Sequence, residues 1–297
     1  THDLTFAKNV ADQLLKVQPL PEGNHMKKKW IFVLLATLML VLTGCESVQK
    51  RANTQNTWNK IAQKKQVVIG LDDSFVPMGF EKKNGQLTGY DVDLAKEVFK
   101  LYGINVSFQT IDWSMNVTEL RNGTIDLLWN GYSITKQREK KVAFSRPYLR
   151  NRQVLVVKKN SGISSFSQMK KYELGMQTGS TAEQWYETKQ NILHATKTGL
   201  YDTISNSFLD LNAGRIQGIL LDEVYANYYI AHMAKSKNYK VIQNDAIPMD
   251  LFAVGMRKGD KTLRKKVNQG LEKMQKNGKL KQLNEKWFNK NSSYLGK

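Results

Sequence analysis

The chain has 297 residues, of which 41% are hydrophobic and 10% aromatic, and its formal net charge is +19. This composition supports one large or two medium folded domains and excludes a largely disordered chain. A single cysteine excludes an intrachain disulfide framework and a cysteine-rich zinc or iron–sulfur site. Because the histidines, His2, His25, His194 and His232, have no ligand-like spacing, we expect no metal and no cofactor.

An apolar segment near the amino terminus has the features of an export signal. Three lysines, Lys27–Lys29, precede an apolar run from Trp30 to Leu42. This run is shorter than the roughly 20 residues that cross a bilayer as a helix. A positive start followed by a short apolar centre is typical of secretory signal peptides. Met26 is the expected start of this signal, and residues 1–25 upstream of it have no assigned function.

The apolar run ends in Leu42-Thr43-Gly44-Cys45, which resembles a bacterial lipobox. Such a site has small residues before the cut, and the thiol after it receives a diacylglyceryl group. We therefore predict a lipoprotein signal peptide over 26–44 and a lipid on Cys45. The alternative is an ordinary secretory signal or a membrane anchor with an incidental cysteine. A lipid would hold the protein on the outer face of the cytoplasmic membrane, as in Gram-positive bacteria.

The excess of basic residues is compatible with nucleic acid, with an anionic surface or with a solvated lysine-rich surface. An exported lipoprotein rarely meets nucleic acid, and the sequence contains no basic module interleaved with aromatic residues. We therefore expect no nucleic-acid partner.

Beyond the signal, residues 45–59 are polar and lack apolar periodicity, so we assign them to a tether. The rest of the chain alternates short β-branched runs with segments of helical apolar spacing. This alternation is typical of mainly parallel sheets with helical crossovers. Strands are predicted over 67–69, 106–110, 125–129, 153–158, 174–177 and 218–221, and helices over 92–102, 117–121, 263–274 and 280–288. Asp91 and Asp93 are assigned to the start of the 92–102 helix, as a cap and a helix-start charge.

Three short elements match the motifs of serine penicillin-binding enzymes. Ser133-Ile134-Thr135-Lys136 matches S-x-x-K, Lys197-Thr198-Gly199 matches K-T-G, and Tyr225-Ala226-Asn227 resembles the middle element of some β-lactamases. Here, however, K-T-G precedes the middle element, which reverses the order of that family. Ser133 also follows a predicted strand instead of opening a long helix. This pattern therefore does not support acyl-enzyme chemistry.

Three separated segments carry a more specific pattern. They are Ile69–Phe80, Gly85–Leu94 and Asp126–Tyr148, and the last contains Trp129-Asn130-Gly131-Tyr132-Ser133. In this order they resemble the amino-acid-binding family of extracellular solute-binding proteins, the receptors of ABC importers. The resemblance extends over about residues 60–290.

This resemblance implies an α/β, two-lobed periplasmic-binding-protein fold of type II, with mainly parallel sheets joined by a two-strand hinge. Lobe 1 is then 60–150 plus 250–290, and lobe 2 is 154–249. The chain is expected to cross between the lobes near 151–153 and 249–251. Ligands of open α/β sheets bind beyond the carboxyl ends of the strands, which here means the cleft between the lobes.

A free amino acid carries a carboxylate and an ammonium, and a cleft that excludes water must pair both charges. The planar guanidinium of arginine suits a carboxylate, and an aspartate suits an ammonium. The resemblance places Arg138 at the carboxylate and Asp222 at the ammonium. Thr181 matches the lobe 2 position that adds hydroxyl and backbone contacts to the carboxylate, and the neighbouring Ser180 is included in the predicted site.

The other predicted contacts follow from the same resemblance. Asn130 and Ser133 match positions that bond the ammonium, and Gly131 lets the backbone approach the ligand closely. Phe75 and Trp113 match apolar walls that sandwich the ligand, although both could instead be core aromatics.

The resemblance implies a non-enzymatic receptor that captures a free polar amino acid and delivers it to a permease powered by an ATPase. Asp72 matches a position that often meets the ligand side chain, which leaves glutamine, cystine and basic amino acids open. The alternative is an exported arogenate or prephenate dehydratase on the same fold, with Asp72 or Glu183 as its acid. We expect the receptor to act as a monomer.

Overall fold

The computed structural model describes residues 48–232 and 238–288. The predicted signal peptide over 26–44, its lipobox, Cys45 and the upstream segment 1–25 lie outside the described residues. The described residues belong to one compact unit. Within the described ranges, no helix combines the length and the apolar character needed to cross a bilayer.

Strands and helices alternate along the chain, as predicted. The strands are β1 Gln66–Leu71, β2 Ser74–Phe75, β3 Gly79–Glu81, β4 Leu87–Thr88, β5 Asn105–Thr110, β6 Leu127–Leu128, β7 Ala143–Phe144, β8 Leu149–Asn151, β9 Gln153–Lys158, β10 Glu173–Gln177, β11 Lys197–Tyr201, β12 Gly218–Asp222, β13 Tyr239–Ile242, β14 Asp250–Phe252 and β15 Gly255–Met256. The helices are α1 Val48–Thr54, α2 Trp58–Lys64, α3 Tyr90–Lys100, α4 Asn116–Asn122, α5 Lys136–Glu139, α6 Thr181–Thr188, α7 Ile204–Ala213, α8 Glu223–His232, α9 Lys261–Lys276 and α10 Lys279–Phe288. Short 3-10 helices cover Trp113–Met115 and Phe166–Lys171.

The first five-stranded sheet has the order β5-β1-β6-β15-β7. Strand β1 lies parallel to β5 and β6, while β15 is antiparallel to β6 and β7. Parallel pairing needs crossovers, and α3 supplies the one between β1 and β5 with a face that is almost entirely buried. Helices α9 and α10 pack against α3 and complete this half of the molecule.

The second five-stranded sheet has the order β11-β10-β12-β9-β13. Strand β10 is parallel to β11 and β12, and β9 is antiparallel to β12 and β13. The predicted parallel pairing is therefore confirmed for β5-β1-β6 and for β11-β10-β12, and the remaining strands of each sheet are antiparallel.

Two neighbouring segments of backbone connect the sheets. Strand β8 leads into β9 through Arg152, and β14 precedes β15 on the return to the first sheet. These two strands pair antiparallel, with Asp250 opposite Asn151. Polar side chains from both connections are therefore brought to one place.

The carboxyl ends of the central strands carry three of the polar residues predicted for the site, Asp72, Asn130 and Asp222, together with Gln177, which was not predicted. Asp72 follows β1, Asn130 follows β6, and Gln177 and Asp222 end β10 and β12. Strand β6 is shorter than the predicted 125–129, because the chain leaves the sheet beyond Leu128 toward a turn at Gly131.

Part of the segment assigned to a tether, 45–59, is folded. Helix α1 buries Ala52, which is 1% exposed, and the Gly259 amide donates to the Ala52 carbonyl at 3.1 Å. A Cβ on Gly259 would lie 2.4 Å from the Gln55 carbonyl oxygen, so this approach requires glycine. Helix α1 packs against the rest of the protein largely through hydrogen bonds. Its sequence therefore shows no apolar periodicity, and the helix was not predicted.

Candidate ligand-binding site

Arg138 lies at the centre of the candidate site and is 4% exposed. Helix α5 positions it, because the Thr135 hydroxyl caps the helix by accepting from the Arg138 amide. The guanidinium donates to the Ser133 carbonyl at 3.0 Å, to the Thr181 hydroxyl at 3.2 Å and to the Gly179 carbonyl at 3.2 Å. All three acceptors are neutral, and among the described residues no carboxylate lies within ion-pair distance of Arg138. A buried guanidinium with only neutral partners suits an anionic ligand.

The loop before α6 brings the second sheet up to Arg138. The Ser180 hydroxyl caps α6 by accepting from the Glu183 amide at 3.2 Å, and the Glu183 carboxylate accepts from the Gly179 amide at 2.6 Å. Gly179 has φ +71°, and a Cβ there would lie 2.8 Å from Ser114 Cα on the opposite side. Glycine thus allows this loop to close against the other side of the cleft.

Asp222 is buried at the end of β12, opposite Gln153 of β9. Its Oδ1 accepts from Asn151 Nδ2 at 2.5 Å and from Gln153 Nε2 at 2.9 Å. A second acid, Asp250, shares the same amide, since Gln153 Nε2 lies 3.2 Å from Asp250 Oδ2. Ser133 Oγ also donates to Asp250 Oδ2, at 3.0 Å.

Burial dominates the electrostatics of these two acids. It raises the pKa of Asp222 to about 7, and the nearby charge of Asp250 adds to the shift. Burial likewise raises the pKa of Asp250, whereas hydrogen bonds and the Arg138 charge lower it. When ionised, the two aspartates carry negative charge and Arg138 carries positive charge. This end of the cleft therefore presents charges of both signs to a zwitterionic ligand.

The loop after β6 is held by buried hydrogen bonds. Asn130 Oδ1 accepts from the Asp72 amide at 3.1 Å, and Asp91 Oδ2 accepts from the Gly131 amide at 2.6 Å. Gly131 has φ +58°, and a Cβ there would lie 2.8 Å from the Phe75 ring. The prediction of Asp91 as a helix cap is wrong: Gly89 holds the cap position of α3, and Asp91 turns inward to this loop. Burial raises the pKa of Asp91 to about 7.

Phe75 and Trp113, predicted as ligand walls, are buried aromatics in separate surroundings. The Phe75 ring centroid lies 5.5 Å from that of Tyr225 on α8. Trp113 packs edge-on against Tyr132 at 5.8 Å, and Tyr132 lies under Arg138 with 4.2 Å between Cζ and the ring centroid. Trp113 therefore supports Arg138 through Tyr132, and the wall role of both aromatics stays a prediction.

Asp72 links the ends of the two sheets at the other end of the site. Its Oδ1 accepts from Ser74 Oγ at 2.6 Å, and its Oδ2 accepts from Gln177 Nε2 at 2.7 Å. Burial raises the pKa of Asp72. The adjacent Asp73 instead bonds Thr110 at 2.8 Å and is only partly buried. Of this acidic pair, Asp72 alone reaches across to the second sheet.

A groove of about 780 Å³ opens beside the Arg138 end of the site. Its walls include Thr181, Trp185, Met249 and Leu251, and Gln153 and Asp250 lie at its edge. Most of the surface that lines the groove is apolar, although polar side chains also border it. Of the two buried acids, Asp250 is the one that lines this groove.

Several residues of the site were missed from the sequence. Asn151, Gln153 and Asp250 come from the two connections between the sheets, and Gln177 comes from the end of β10. Asp250 had a detectable signal, because it is an acid within the otherwise apolar stretch 247–252. The others are ordinary strand-end residues, and only pairing across the sheets shows their partners.

The penicillin-binding elements do not assemble into one site. Ser133 donates to Asp250, whereas the K-T-G element lies at the amino end of the edge strand β11 and Tyr225-Ala226-Asn227 lies on α8. Glu183, considered as an acid, is engaged with the backbone at Gly179.

Comparison with known proteins identifies the family. The sequence pattern of the bacterial extracellular solute-binding proteins, family 3, matches residues 67–290. The L-cystine-binding protein TcyJ of Escherichia coli (strain K12) is 30% identical over 257 residues, which are 86% of this chain and 94% of that protein.

Solved structures agree in fold. An ABC uptake transporter substrate-binding protein from Streptococcus pneumoniae with bound histidine is 42% identical, with a TM-score of 0.78, over 80% of this chain and 98% of that one. The ancestral amino-acid-binding protein AncCDT-1, a precursor of cyclohexadienyl dehydratase, is 32% identical with a TM-score of 0.72, over 78% and 100%. The fold class predicted from the sequence is confirmed, and this chain belongs to the bacterial extracellular solute-binding proteins, family 3.

Proposed function

We propose that this protein is the substrate-binding receptor of an ABC importer and that its ligand is a free polar amino acid. The observation that carries the proposal is the opposition of charges at one end of the cleft. Arg138 is buried with neutral acceptors, one of which is the Ser133 carbonyl. The Ser133 hydroxyl bonds Asp250, and Asp250 shares the Gln153 side-chain amide with Asp222. A carboxylate and an ammonium separated by one carbon fit between such groups.

In this proposal the ligand carboxylate pairs with Arg138. It replaces neutral oxygens that now accept hydrogen bonds from the guanidinium. The planar fork of arginine makes two parallel hydrogen bonds to a carboxylate. The Thr181 hydroxyl and the backbone at Ser180 add contacts from α6. The ligand ammonium pairs with Asp222, with Asn130 and Ser133 nearby.

Closure of the cleft is expected to couple to binding. Hydrogen bonds span the two sides from Arg138 to Thr181 and Gly179, from Gln177 to Asp72, and from Thr135 to Gln184 at 3.1 Å. A ligand that bonds groups on both sides favours the closed state, because only that state completes its contacts. We expect a permease to recognise the closed form and an ATPase to power transport.

The ligand side chain is proposed to lie toward Asp72 and Gln177. Asp72 Oδ2 accepts one hydrogen bond, from Gln177, and can accept another from a ligand, which favours a polar or basic side chain over an apolar one. Relatives are named for cystine and for bound histidine, and both have polar side chains. Glutamine, cystine and basic amino acids are therefore the ligands to test first.

Membrane attachment is proposed from the sequence. A lipid on Cys45 would keep the receptor on the outer face of the cytoplasmic membrane, beside its permease. The family description is extracellular, which agrees with export. We propose that the receptor acts as a monomer there, with lobe boundaries as predicted above.

A thermal-shift panel followed by calorimetry tests the receptor function. The purified chain is unfolded and refolded to remove any carried ligand, and each proteinogenic amino acid and cystine is then added. A ligand at 100 times its Kd should stabilise the protein by about 2.7 kcal/mol. Stabilisation by one or a few polar amino acids is the expected result. A well-folded sample that responds to none of them would overturn the proposal.

The dehydratase alternative has one supporting observation, the similarity to a precursor of cyclohexadienyl dehydratase. In such an enzyme Asp72, whose pKa is raised by burial, would be the candidate acid. Loss of prephenate or arogenate followed by absorbance tests it. We expect no turnover, and turnover that an Asp72→Asn variant abolishes would replace the receptor by the enzyme.

A further inference from the structure

Asp250 joins Asp222 although the two residues are distant in sequence. Pairing of β14 with β8 places Asp250 opposite Asn151, and Asn151 bonds Asp222. The side-chain nitrogen Nε2 of Gln153 lies within hydrogen-bond distance of both carboxylates, 2.9 Å from Asp222 and 3.2 Å from Asp250. One neutral amide thus connects two acids inside the cleft.

Hydrogen-bond donors are scarce around this pair. Three neutral groups donate to it: Asn151 Nδ2, Gln153 Nε2 and Ser133 Oγ. Among the described residues, nothing donates to the buried Oδ1 of Asp250 or to Oε1 of Gln153, a residue that is 2% exposed. Because buried acceptors normally have donors, we infer that a further donor binds here, either a proton on a carboxylate or a cation of the ligand.

The charges near the pair do not neutralise both carboxylates. Arg138 is a full positive charge that lowers the pKa of each acid, yet burial outweighs it in both. Arg152 is already paired with Glu223 at 3.8 Å on the outer side. The other charged groups bordering the groove beside Asp250 are Lys136 of α5 and Lys140, which follows that helix. Two carboxylates this close share one proton more readily than both ionise.

We propose that Asp250 is a second ammonium-binding carboxylate and that an arriving ammonium displaces the proton that Asp222 and Asp250 share in the empty cleft. The inference rests on the proposed amino-acid receptor function. It adds Asp250 to the ammonium-binding residues and adds the release of a proton to ligand binding. An ammonium carries three N–H donors, enough for both carboxylates and one neutral oxygen. The displaced proton passes through the groove to solvent, and no covalent bond other than its O–H is broken.

Affinity should then depend on pH near neutrality. Where the shared proton is bound, the ligand must displace it, so acidification below about pH 7 weakens binding. At higher pH the pair is already ionised, and affinity reaches a plateau. A cleft with Asp222 alone would lose its proton at a lower pH, because the like charge of Asp250 raises the pKa of Asp222.

Isothermal titration calorimetry in buffers of different ionisation enthalpy counts the protons released on binding. The probe is the tightest binder among L-glutamine, L-arginine and L-cystine, whose amino and guanidinium groups all stay protonated at pH 6.5. At pH 6.5 the wild-type protein should release roughly half a proton to one proton per ligand. Asp250→Asn should bind about 10- to 100-fold more weakly at pH 8. At pH 6.5 it should release clearly fewer protons than the wild type, because only burial then raises the pKa of Asp222.

Two further variants complete the test. Asp250→Glu keeps the second carboxylate and should restore much of the proton release. Asp245→Asn removes an exposed acid from the same connection and should match the wild type in affinity and proton count.

The outcomes separate the two proposals. If the wild type binds an amino acid with heats that do not depend on the buffer, the shared proton is refuted even if Asp250→Asn fails to fold. Unchanged affinity and proton release in a folded Asp250→Asn protein would refute the role of Asp250. Both results leave the receptor function intact, whereas a wild type that binds no amino acid overturns both.

Discussion

The side-chain amide of Gln177, at the end of β10, donates to the carboxylate of Asp72, just beyond β1, over 2.7 Å. Gln177 also donates to the Asp202 carbonyl at 2.9 Å, so both of its amide hydrogens are used. Asp72 and Gln177 are both buried. A single hydrogen bond to a buried carboxylate therefore helps to hold the two sides of the cleft together.

Gln177→Leu should weaken ligand binding. The substitution keeps similar volume but leaves Asp72 Oδ2 buried without this donor, and hydrogen bonds to charged groups contribute about 1.5–3 kcal/mol. We expect Kd to rise roughly 10- to 100-fold, mainly through faster dissociation, as measured by stopped-flow fluorescence. Gln86→Leu, on the exposed turn between β3 and β4, serves as the control. Equal dissociation rates in all three proteins would show that the bond does not contribute to closure.

Arg138→Ala should cost about 3–5 kcal/mol of ligand affinity, because the ligand carboxylate would be buried without a partner. Arg138→Lys keeps the charge but loses the planar fork, so it should recover only part of this loss. Calorimetry with the amino acid found in the screen gives both values.

Arg146→Ala is the matched control for Arg138. Arg146 is largely exposed and forms a 4.0 Å pair with Glu272. Its removal should leave Kd unchanged within about twofold. An Arg138→Ala protein that folds and binds as tightly as this control would remove Arg138 from the site.

Asp91 should make stability depend on pH. Its pKa of about 7 in the folded protein lies above the ordinary value of 3.8, so the folded state binds the extra proton between these pH values. Its contribution to the free energy of unfolding therefore falls as pH rises from about 4 to about 7, by up to about 4 kcal/mol.

Asp91→Asn removes this titration while keeping an oxygen that can accept from the Gly131 amide and the Tyr148 hydroxyl. Urea denaturation at several pH values should show a smaller fall between pH 4 and 7 than in the wild type. Asp245→Asn controls for the loss of one carboxylate. Parallel curves for wild type and Asp91→Asn would contradict the assignment.

Arg257 should be important for stability rather than binding. Its guanidinium is buried, 2.8 Å from Asp260 and 3.0 Å from Asp126, and it also donates to the Ile125 carbonyl at 2.7 Å. Arg257→Met should lower the free energy of unfolding by about 3–5 kcal/mol, because Asp260 would be left buried without its cation. Chemical denaturation measures the loss.

The exposed ion pair of Arg146 with Glu272 again supplies the comparison. Arg146→Met should change stability by less than about 0.5 kcal/mol. Similar losses for Arg146→Met and Arg257→Met would mean that burial of the Arg257 network contributes nothing beyond an exposed pair.

The sequence by itself determined the family and the alternation of strands and helices, and it predicted many residues of the candidate site. Hydrophobic periodicity is local, so α3 and α9 are visible in it, and ordered motifs such as Trp129-Asn130-Gly131-Tyr132-Ser133 keep their spacing along the chain. Arg138 was predicted in this way, because the resemblance assigns the carboxylate-binding role to an arginine at this distance in sequence from the motif.

Only the tertiary structure decided which groups from different strands meet. The pairing of β14 with β8 brings Asp250 to Asp222, and the approach of the two sheets brings Gln177 to Asp72. Asp91 was predicted as a helix cap from its position in the sequence, yet its side chain is buried and accepts a hydrogen bond from the Gly131 amide. Helix α1 escaped detection for a similar reason, since the partners of its hydrogen bonds lie elsewhere in the chain. Periodicity records which face of an element is apolar, whereas hydrogen-bond partners and the pKa of a buried acid depend on neighbours that folding alone brings together.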